Sequence, residues 1–351
     1  VNRSNLEQFP PLGIEALISV VNQHAIPEVV FTGTTSDPQL YRFEGELLEL
    51  LRGRLHPRAR LSVHTNGART LDRLEVFNRY DRACHSYGKS YRDLVRAFAG
   101  HFDNPPDFVA YPENEADVAA LLDFCGASQI AAVIFGGGSS VCGGVEPSSH
   151  PRYRGSISID LGRMNRVIEI DHLSRAARIQ AGTLGPDLES GLRSHGLTLR
   201  HYPQSFEFST LGGWIATRSA GHFATGPTHI DELVEAVRVA TPSGVIETRR
   251  LPGDGAGPSP ERLFIGSEGA FGVITEAWVR IFERPRFRAK ASVRFPDFAS
   301  GLRAVRALAQ SGLTPSNCRL LDPLEAMMNG AAGGDAAVVM ATEANKSILA
   351  D

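Results

Sequence analysis

The stretch Phe135-Gly-Gly-Gly-Ser-Ser-Val141 follows directly on the apolar run Ala131-Ala-Val-Ile-Phe135, and its reading decides the rest. The apolar run has the length and composition of a buried strand. Gly136, Gly137 and Gly138 then remove every Cβ from the turn, and Ser139 and Ser140 add hydroxyls before Val141. A bare turn of this kind lets successive amide groups face one anion, and it suits a pyrophosphate. The spacing is not G-x-G-x-x-G, because Val141 stands where the third glycine would fall. Taken alone, the loop is equally well explained as a tight turn with no ligand.

Two further clusters lie C-terminal to it. Pro203-Gln-Ser-Phe-Glu-Phe-Ser-Thr-Leu-Gly-Gly213 alternates hydroxyls and an amide with aromatic rings, and Thr217-Arg-Ser-Ala-Gly221 follows closely. This composition fits a planar ligand hydrogen-bonded at its edge, or else a polar loop between helices. In Ile265-Gly-Ser-Glu-Gly-Ala-Phe-Gly-Val-Ile274 small residues lead into a strand, again asking for close backbone approach. Two patterns are set aside. Gly88-Lys89-Ser90 imitates the end of a phosphate-binding loop, but Ala83 occupies the position of its required glycine. His222 and His229 have no carboxylate or cysteine at ligand spacing, so no metal site is expected.

Around these clusters the chain reads as several stretches. Residues 1–85 form an α/β segment: a helix over Leu12–Asn22, strands at Glu28–Thr32 and Arg60–His64, and a helix over Tyr41–Gly53 between them. Strand, helix, strand at this spacing implies parallel pairing. A polar helical linker covers 86–106, ending at Pro105-Pro106. Over 107–285 strands and helices alternate: strands at Asp107–Tyr111, Ser156–Asp160, Ile230–Thr241 and Gly272–Ile281, and a hairpin of Val167–Ile170 with Ala177–Ala181. Helices run from Asn114 to about Cys125 and over Pro186–His195, the second ending on Gly196. Residues 286–351 open another α+β unit with a strand at Lys290–Phe295, a helix at Phe298–Gln310 and a strand at Asn317–Leu321. A small-residue tail then follows, before such a unit is expected to close its sheet.

Composition narrows the classes. The 351 residues carry 36 Lys+Arg and 39 Asp+Glu, a net charge of −3, which argues against a nucleic-acid partner. Hydrophobic residues at 42% and charged residues at 21% describe a globular chain. Cys84, Cys125, Cys142 and Cys318 form no CxxC pair, which excludes a local zinc cluster and fits a reducing compartment. No apolar run approaches the roughly 20 residues of a membrane helix; with no targeting signal seen, a cytoplasmic protein is expected.

The three clusters, in this order and spacing, resemble the FAD-binding domain of the vanillyl-alcohol oxidase / p-cresol methylhydroxylase flavoproteins, and within that superfamily the alkyldihydroxyacetonephosphate synthases. The phrases that carry the resemblance are Pro203–Trp214, Thr217–Gly221, Val239-Ala-Thr-Pro-Ser-Gly-Val245 and Gly266–Glu276, and it extends from about Tyr87 to Asp322. It implies an α+β fold: a two-subdomain FAD-binding domain over 107–285, preceded by the α/β segment and followed by an incomplete cap domain.

By the same resemblance, Phe135, Gly136, Gly137, Gly138, Ser139, Ser140 and Val141 hold the FAD pyrophosphate. Gln204, Ser205, Phe206, Glu207, Phe208, Ser209 and Thr210, with Gly212, Gly213, Thr217, Arg218, Ser219 and Ala220, line the isoalloxazine and ribityl regions. Glu268, Gly269, Ala270, Phe271, Gly272, Val273 and Ile274 complete the cradle, and Arg319 matches a family arginine near flavin and substrate.

The implied reaction exchanges the acyl chain of acyl-dihydroxyacetone phosphate for a fatty alcohol, through an adduct at flavin N5, in ether-lipid synthesis. Arg319 and Arg218 are the candidate phosphate partners. Lipid-like substrates imply a peripheral membrane contact, and a homodimer is a further expectation. The family's catalytic tyrosine and histidine-rich segment match no residue of this chain. Pro27–Gln39 and Ser62–Gly67 resemble instead part of a radical S-adenosylmethionine enzyme barrel, but residues 1–83 lack cysteine and so the cluster ligands. Two alternatives stay open: an FAD-linked 2-hydroxy-acid dehydrogenase of lactate or glycolate type, and a flavin-binding module without catalysis.

Overall fold

Strand-forming and helix-forming runs separate as the pattern predicts, and the chain divides into two units. The computed structural model describes residues 11–23, 28–32, 44–55, 59–64, 79–148, 150–223, 226–251, 255, 257–313, 315–328 and 336–344. The first unit comprises Val1–Ala110, Phe124–Val133 and Val145–Ile159; the second comprises Tyr111–Asp123, Ile134–Gly144 and Asp160–Asp351.

In the first unit, helix α1 (Pro11–Gln23), strand β1 (Glu28–Thr32), helix α2 (Glu44–Arg54) and strand β2 (Arg60–His64) follow the expected order. Strands β1 and β2 pair in parallel, from Glu28 opposite Arg60 to Thr32 opposite His64. Ile18 and Val21 of α1 and Leu47 and Leu51 of α2 are buried, the apolar stripe of each helix. Next come α3 (Arg79–Cys84) and α4 (Tyr91–Phe98). The linker is less helical than expected, because Ser90 and Asp93 form a capping box that starts α4 late. Gly100 at φ +71° lies just past its end. Ser90, from the motif set aside above, is thus a helix cap. Arg96 bonds Asp93 and Glu146 and lies 3.9 Å over the Tyr87 ring. Strands β3 (Phe108–Ala110), β4 (Ile130–Phe135) and β5 (Gly155–Asp160) make a sheet ordered β3-β5-β4, with helix α5 (Glu115–Ser128) between β3 and β4 in the chain; Glu115–Asp123 of α5 and Ile134–Phe135 of β4 are counted with the second unit.

The second unit is built on an antiparallel sheet of β6 (Val167–Asp171), β7 (Ala176–Gln180), β9 (Val234–Thr241), β10 (Gly244–Glu247) and β11 (Val273–Arg280), with α6 (Gly185–Arg193), the short β8 (Leu197–Thr198) and α7 (Leu211–Thr217) between β7 and β9 in the chain. Its order is β10-β9-β11-β7-β6. The strand expected from Ile230 begins only at Val234. Residues Ile230–Glu232 form a 3-10 turn, fixed by the Glu232 carboxylate accepting from the His229 and Thr228 amides at 2.9 Å. Trp214, Ile215, Leu188, Leu192, Ile179, Val239 and Val279 form its buried core.

Strand β12 (Phe282–Glu283) pairs with β8. Beyond it lie β13 (Phe287–Phe295), α8 (Phe298–Gln310), β14 (Asn317–Leu321), α9 (Pro323–Met328) and β15 (Ala336–Ala344). The small-residue tail was expected to leave this sheet open. Instead β15 is its central strand, antiparallel to both β13 and β14, so two ladders satisfy a segment of weak intrinsic preference. A Cβ at Gly301 of α8 would lie 2.7 Å from Leu320 of β14, so glycine permits the helix to approach the sheet closely.

Candidate functional site

Strand β4 delivers the glycine loop. Among the described residues, no backbone amide from Gly136 to Val141 donates to a protein acceptor. Gly138 is buried nonetheless and takes φ +62°. Buried amides are ordinarily paired, so a row of open donors is the signature of an anion site.

The loop is held by the two other clusters. A Cβ on Gly137 would fall on the Phe208 carbonyl oxygen, and one on Gly136 would lie 2.5 Å from Thr210 Oγ1. A Cβ on Gly144 would lie 2.5 Å from Glu268 Oε2, and one on Gly269 (φ +85°) 3.1 Å from Ile134. Cys142 Sγ stands 3.5 Å from Glu268 Oε1. Glu268 itself takes φ +50°, and its amide donates to Ala216 O at 2.9 Å. The three clusters therefore meet in one place. Several glycines are required there by the protein's own packing as well as by any ligand; Gly212, whose Cβ would press on Ala181, and Gly272, pressing on Ala240, are of this kind.

The second cluster builds the start of α7. Thr210 Oγ1 accepts from the Gly213 amide at 3.2 Å and caps the helix. Trp214 Nε1 donates to Ser209 Oγ at 2.6 Å, and Ser209 Oγ donates to Ser205 O. Phe206 stacks on Trp214, with centroids 6.2 Å apart. Thr217 Oγ1 bonds Gly213 O. Gln204 and Glu207 are exposed. Ser219 Oγ lies 2.7 Å from His201 Nε2, and Ala220 bridges to His229. In the third cluster Ala270 donates its amide to Ser267 O. Val273 and Ile274 are buried in β11, so their side chains belong to the core and do not line the loop. Val141, Phe208 and Phe271, one from each cluster, are exposed apolar side chains. Such a surface suits a flat ring.

The cationic candidates differ. Arg218 closes α7 at φ +53° and donates to Asp231 Oδ2 at 2.8 Å, so its guanidinium is committed to an ion pair. Burial pushes the Asp231 carboxyl up, and the Arg218 hydrogen bond and charge bring it net below its ordinary value. Arg319 is exposed on β14, with Nη2 3.3 Å from His222 Nδ1. That contact, and the buried His201, escaped the sequence reading. His201 is 1% exposed, packs edge-on against Trp214 at 5.1 Å, and is pushed down to about 4 first by burial and then by His229.

No helix among the described residues is long and apolar enough to cross a membrane. Comparison with known proteins bears on the cofactor. The family described as "FAD binding domain" matches residues 106–249, and "FAD linked oxidases, C-terminal domain" matches residues 284–348. The alkyldihydroxyacetonephosphate synthase of Trypanosoma brucei brucei is 39% identical over 260 residues, covering 74% of this chain and 42% of that protein. That of Dictyostelium discoideum is 37% identical over 248 residues, covering 71% and 40%. A solved alkyldihydroxyacetonephosphate synthase structure superposes with a TM-score of 0.71 at 31% identity, covering 80% of this chain and 58% of that one. The chain thus spans about two-fifths of the length of these curated relatives. The resemblance of the N-terminal segment to a radical S-adenosylmethionine enzyme finds no support in these matches. With open donors in its glycine loop and a match to the FAD binding domain over 106–249, this chain is homologous over the matched stretch to the alkyldihydroxyacetonephosphate synthases, and its cofactor is FAD.

Proposed function

We propose that this protein is an FAD-dependent alkylglycerone-phosphate synthase-like transferase, exchanging the acyl chain of acyl-dihydroxyacetone phosphate for a fatty alcohol. The observation that carries the reading is the glycine loop, with its open amides at Gly136 to Val141 braced by Phe208, Thr210 and Glu268. In this reading those amides take the pyrophosphate. Phe208 and Phe271 flank the flavin ring, and Ser205–Thr210 with Thr217–Ala220 line its edge. Val273 and Ile274 act only by anchoring the loop to β11. Bound FAD supplies an electrophilic ring to the substrate carbon skeleton. The chain's residues position that ring, exclude water and hold charge. Arg319 holds the substrate phosphate, and its contact with His222 aims the guanidinium.

The same reading divides the chain into an α/β segment at 1–85, a linker at 86–106, a flavin domain at 107–285 and a cap unit at 286–351. The family matches at 106–249 and 284–348 support the last two. It also carries long-chain substrates, a peripheral contact with the lipid surface that holds them, and a homodimer. The test is the visible spectrum of the purified protein after gel filtration, followed by exchange of palmitoyl-dihydroxyacetone phosphate with hexadecanol. A retained flavin band with fatty-acid release is expected. A colourless folded protein overturns the cofactor assignment, and anaerobic bleaching by lactate or glycolate overturns the transferase assignment.

A further inference from the structure

Helix α4 is amphipathic with its polar side turned inward. Tyr91, Leu94, Val95 and Phe98 recur at spacings of three and four, which places them on one side of the helix; Asp93 and Arg96 occupy the other. In a surface helix the apolar stripe ordinarily faces the core. Here the reverse holds. Asp93 is buried, and its carboxylate accepts from the Ser90 amide at 3.2 Å and from Arg96 Nη2 at 2.6 Å. Arg96 also donates twice to Glu146, at 2.8 and 2.9 Å, above the buried Tyr87 ring. Tyr87 Oη in turn donates to His101 O at 2.8 Å and accepts from the Asp103 amide at 3.0 Å, which ties down the chain beyond the helix. All these groups belong to the first unit, so α4 is held to its own unit by charge and hydrogen bonds.

The apolar side is left to solvent. Tyr91 is 85% exposed, Leu94 42%, Val95 50% and Phe98 91%. Scattered apolar side chains are ordinary on a protein surface, whereas four together on one helix face mark a contact surface. The charge around the stripe says what it contacts. Lys89 and Arg92 are exposed at its start, and neither side chain has a hydrogen-bond or ion-pair partner among the described residues. The only carboxylate of α4, Asp93, is buried on the opposite side and already paired. An apolar stripe rimmed by cations matches a layer that is anionic at its surface and hydrocarbon beneath. Tyr91 and Phe98, at the two ends of the stripe, put aromatic rings where headgroups meet acyl chains. Two copies meeting on this face would instead gather four cations around a small patch.

We propose that α4 is the element by which this protein rests on an anionic lipid surface, with Tyr91, Leu94, Val95 and Phe98 in the interface and Lys89 and Arg92 on the headgroups. The inference rests on the synthase-like reading for the long-chain substrates that call for such a contact, and it gives that contact a place. Co-sedimentation of the flavin-loaded protein with vesicles of equimolar phosphatidylcholine and phosphatidylserine tests it without turnover. Binding is expected, weakened by added KCl, and at least about tenfold weaker on phosphatidylcholine alone. Tyr91→Ser/Phe98→Ser should bind at least about tenfold more weakly. Its flavin band and melting temperature should be unchanged, because both side chains lie outside the core. Lys89→Gln/Arg92→Gln should lose the preference for the anionic lipid, and it serves alone should the aromatic variant fail to fold. Leu173→Ser, removing an isolated exposed side chain from the β6–β7 turn, should match the parent. No binding by the parent, or unchanged binding in the α4 variants, overturns the proposal. A dimer that Phe98→Ser dissociates assigns the face to a second copy and overturns it as well. Acyl exchange without vesicle binding removes this inference and leaves the synthase-like reading; vesicle binding without exchange does the opposite.

Discussion

Gly137 and Gly143 are both bare positions of one loop, but for different reasons. A Cβ at Gly137 overlaps the Phe208 carbonyl, so the loop must part from the second cluster. At Gly143, φ +84° strains an L residue while nothing lies within 4 Å of its Cβ. Gly137→Ala is therefore expected to weaken FAD binding at least tenfold in a fluorescence titration. Gly143→Ala should retain the flavin and lose only about 1 kcal/mol of stability. Equal FAD affinity in the two variants would show that the contact with Phe208 does not shape the loop. His201 makes a second prediction at this scale. Its folded pKa of about 4 lies below the ordinary histidine value, so the unfolded chain binds the proton first as pH falls. Stability is expected to fall by about 3 kcal/mol between pH 6.5 and 4 on this account. His201→Gln should flatten that slope in denaturation midpoints measured across the same range; an unchanged slope refutes the assignment.

At the scale of elements, α7 and β11 carry the argument. Helix α7 spans only Leu211–Thr217, too short to persist unaided, and it relies on the Thr210 cap and on burial of Trp214 and Ile215. Thr210→Ala is expected to cost about 1 kcal/mol by thermal denaturation. Thr210→Ser keeps the oxygen and should recover most of it. Strand β11 is tied to α5 through Glu115, which accepts from Arg238 Nε at 2.7 Å and from Thr275 Oγ1 at 2.9 Å. The Arg238 hydrogen bond holds the Glu115 carboxyl below its ordinary value against burial. Its stabilisation is present above the ordinary carboxylate range and is lost as pH falls through the lowered folded value. Glu115→Ala should cost about 1–3 kcal/mol near neutral pH, because Arg238 and Thr275 lose a half-buried partner. Little difference from the parent should remain in strong acid. An equal deficit at all pH values would count against this role.

At the scale of the whole molecule, a cofactor bound only by the folded state must raise its stability. FAD at a hundredfold its dissociation constant is expected to add about 2.7 kcal/mol. That appears as a melting temperature several degrees higher and dependent on FAD concentration; no dependence would place the cofactor outside the folded unit.

Much of this was legible beforehand. Strands β1 and β2, the β6–β7 hairpin, α8 and β14 follow from period and punctuation, because each is decided by residues within a few positions. The three clusters were legible for the same reason: close backbone approach demands glycine, and glycine is visible in a sequence. Local pattern failed where distant partners decide. The Ala- and Gly-rich tail gave no strand signal, and β15 exists because β13 and β14 supply its hydrogen bonds. The strand start at Val234 moved because the Glu232 side chain captures two amides.

By itself, then, the sequence determined the glycine loop after β4, the order of the elements and the positions where only glycine allows close backbone approach. Tertiary structure alone decided that Phe208, Thr210 and Glu268 brace that loop and that Arg218 is committed to Asp231. The physical reason is range. Backbone conformation and glycine tolerance are set within a residue's own neighbourhood, whereas the partner of a charge or a carbonyl is set by which elements the folded core brings into contact.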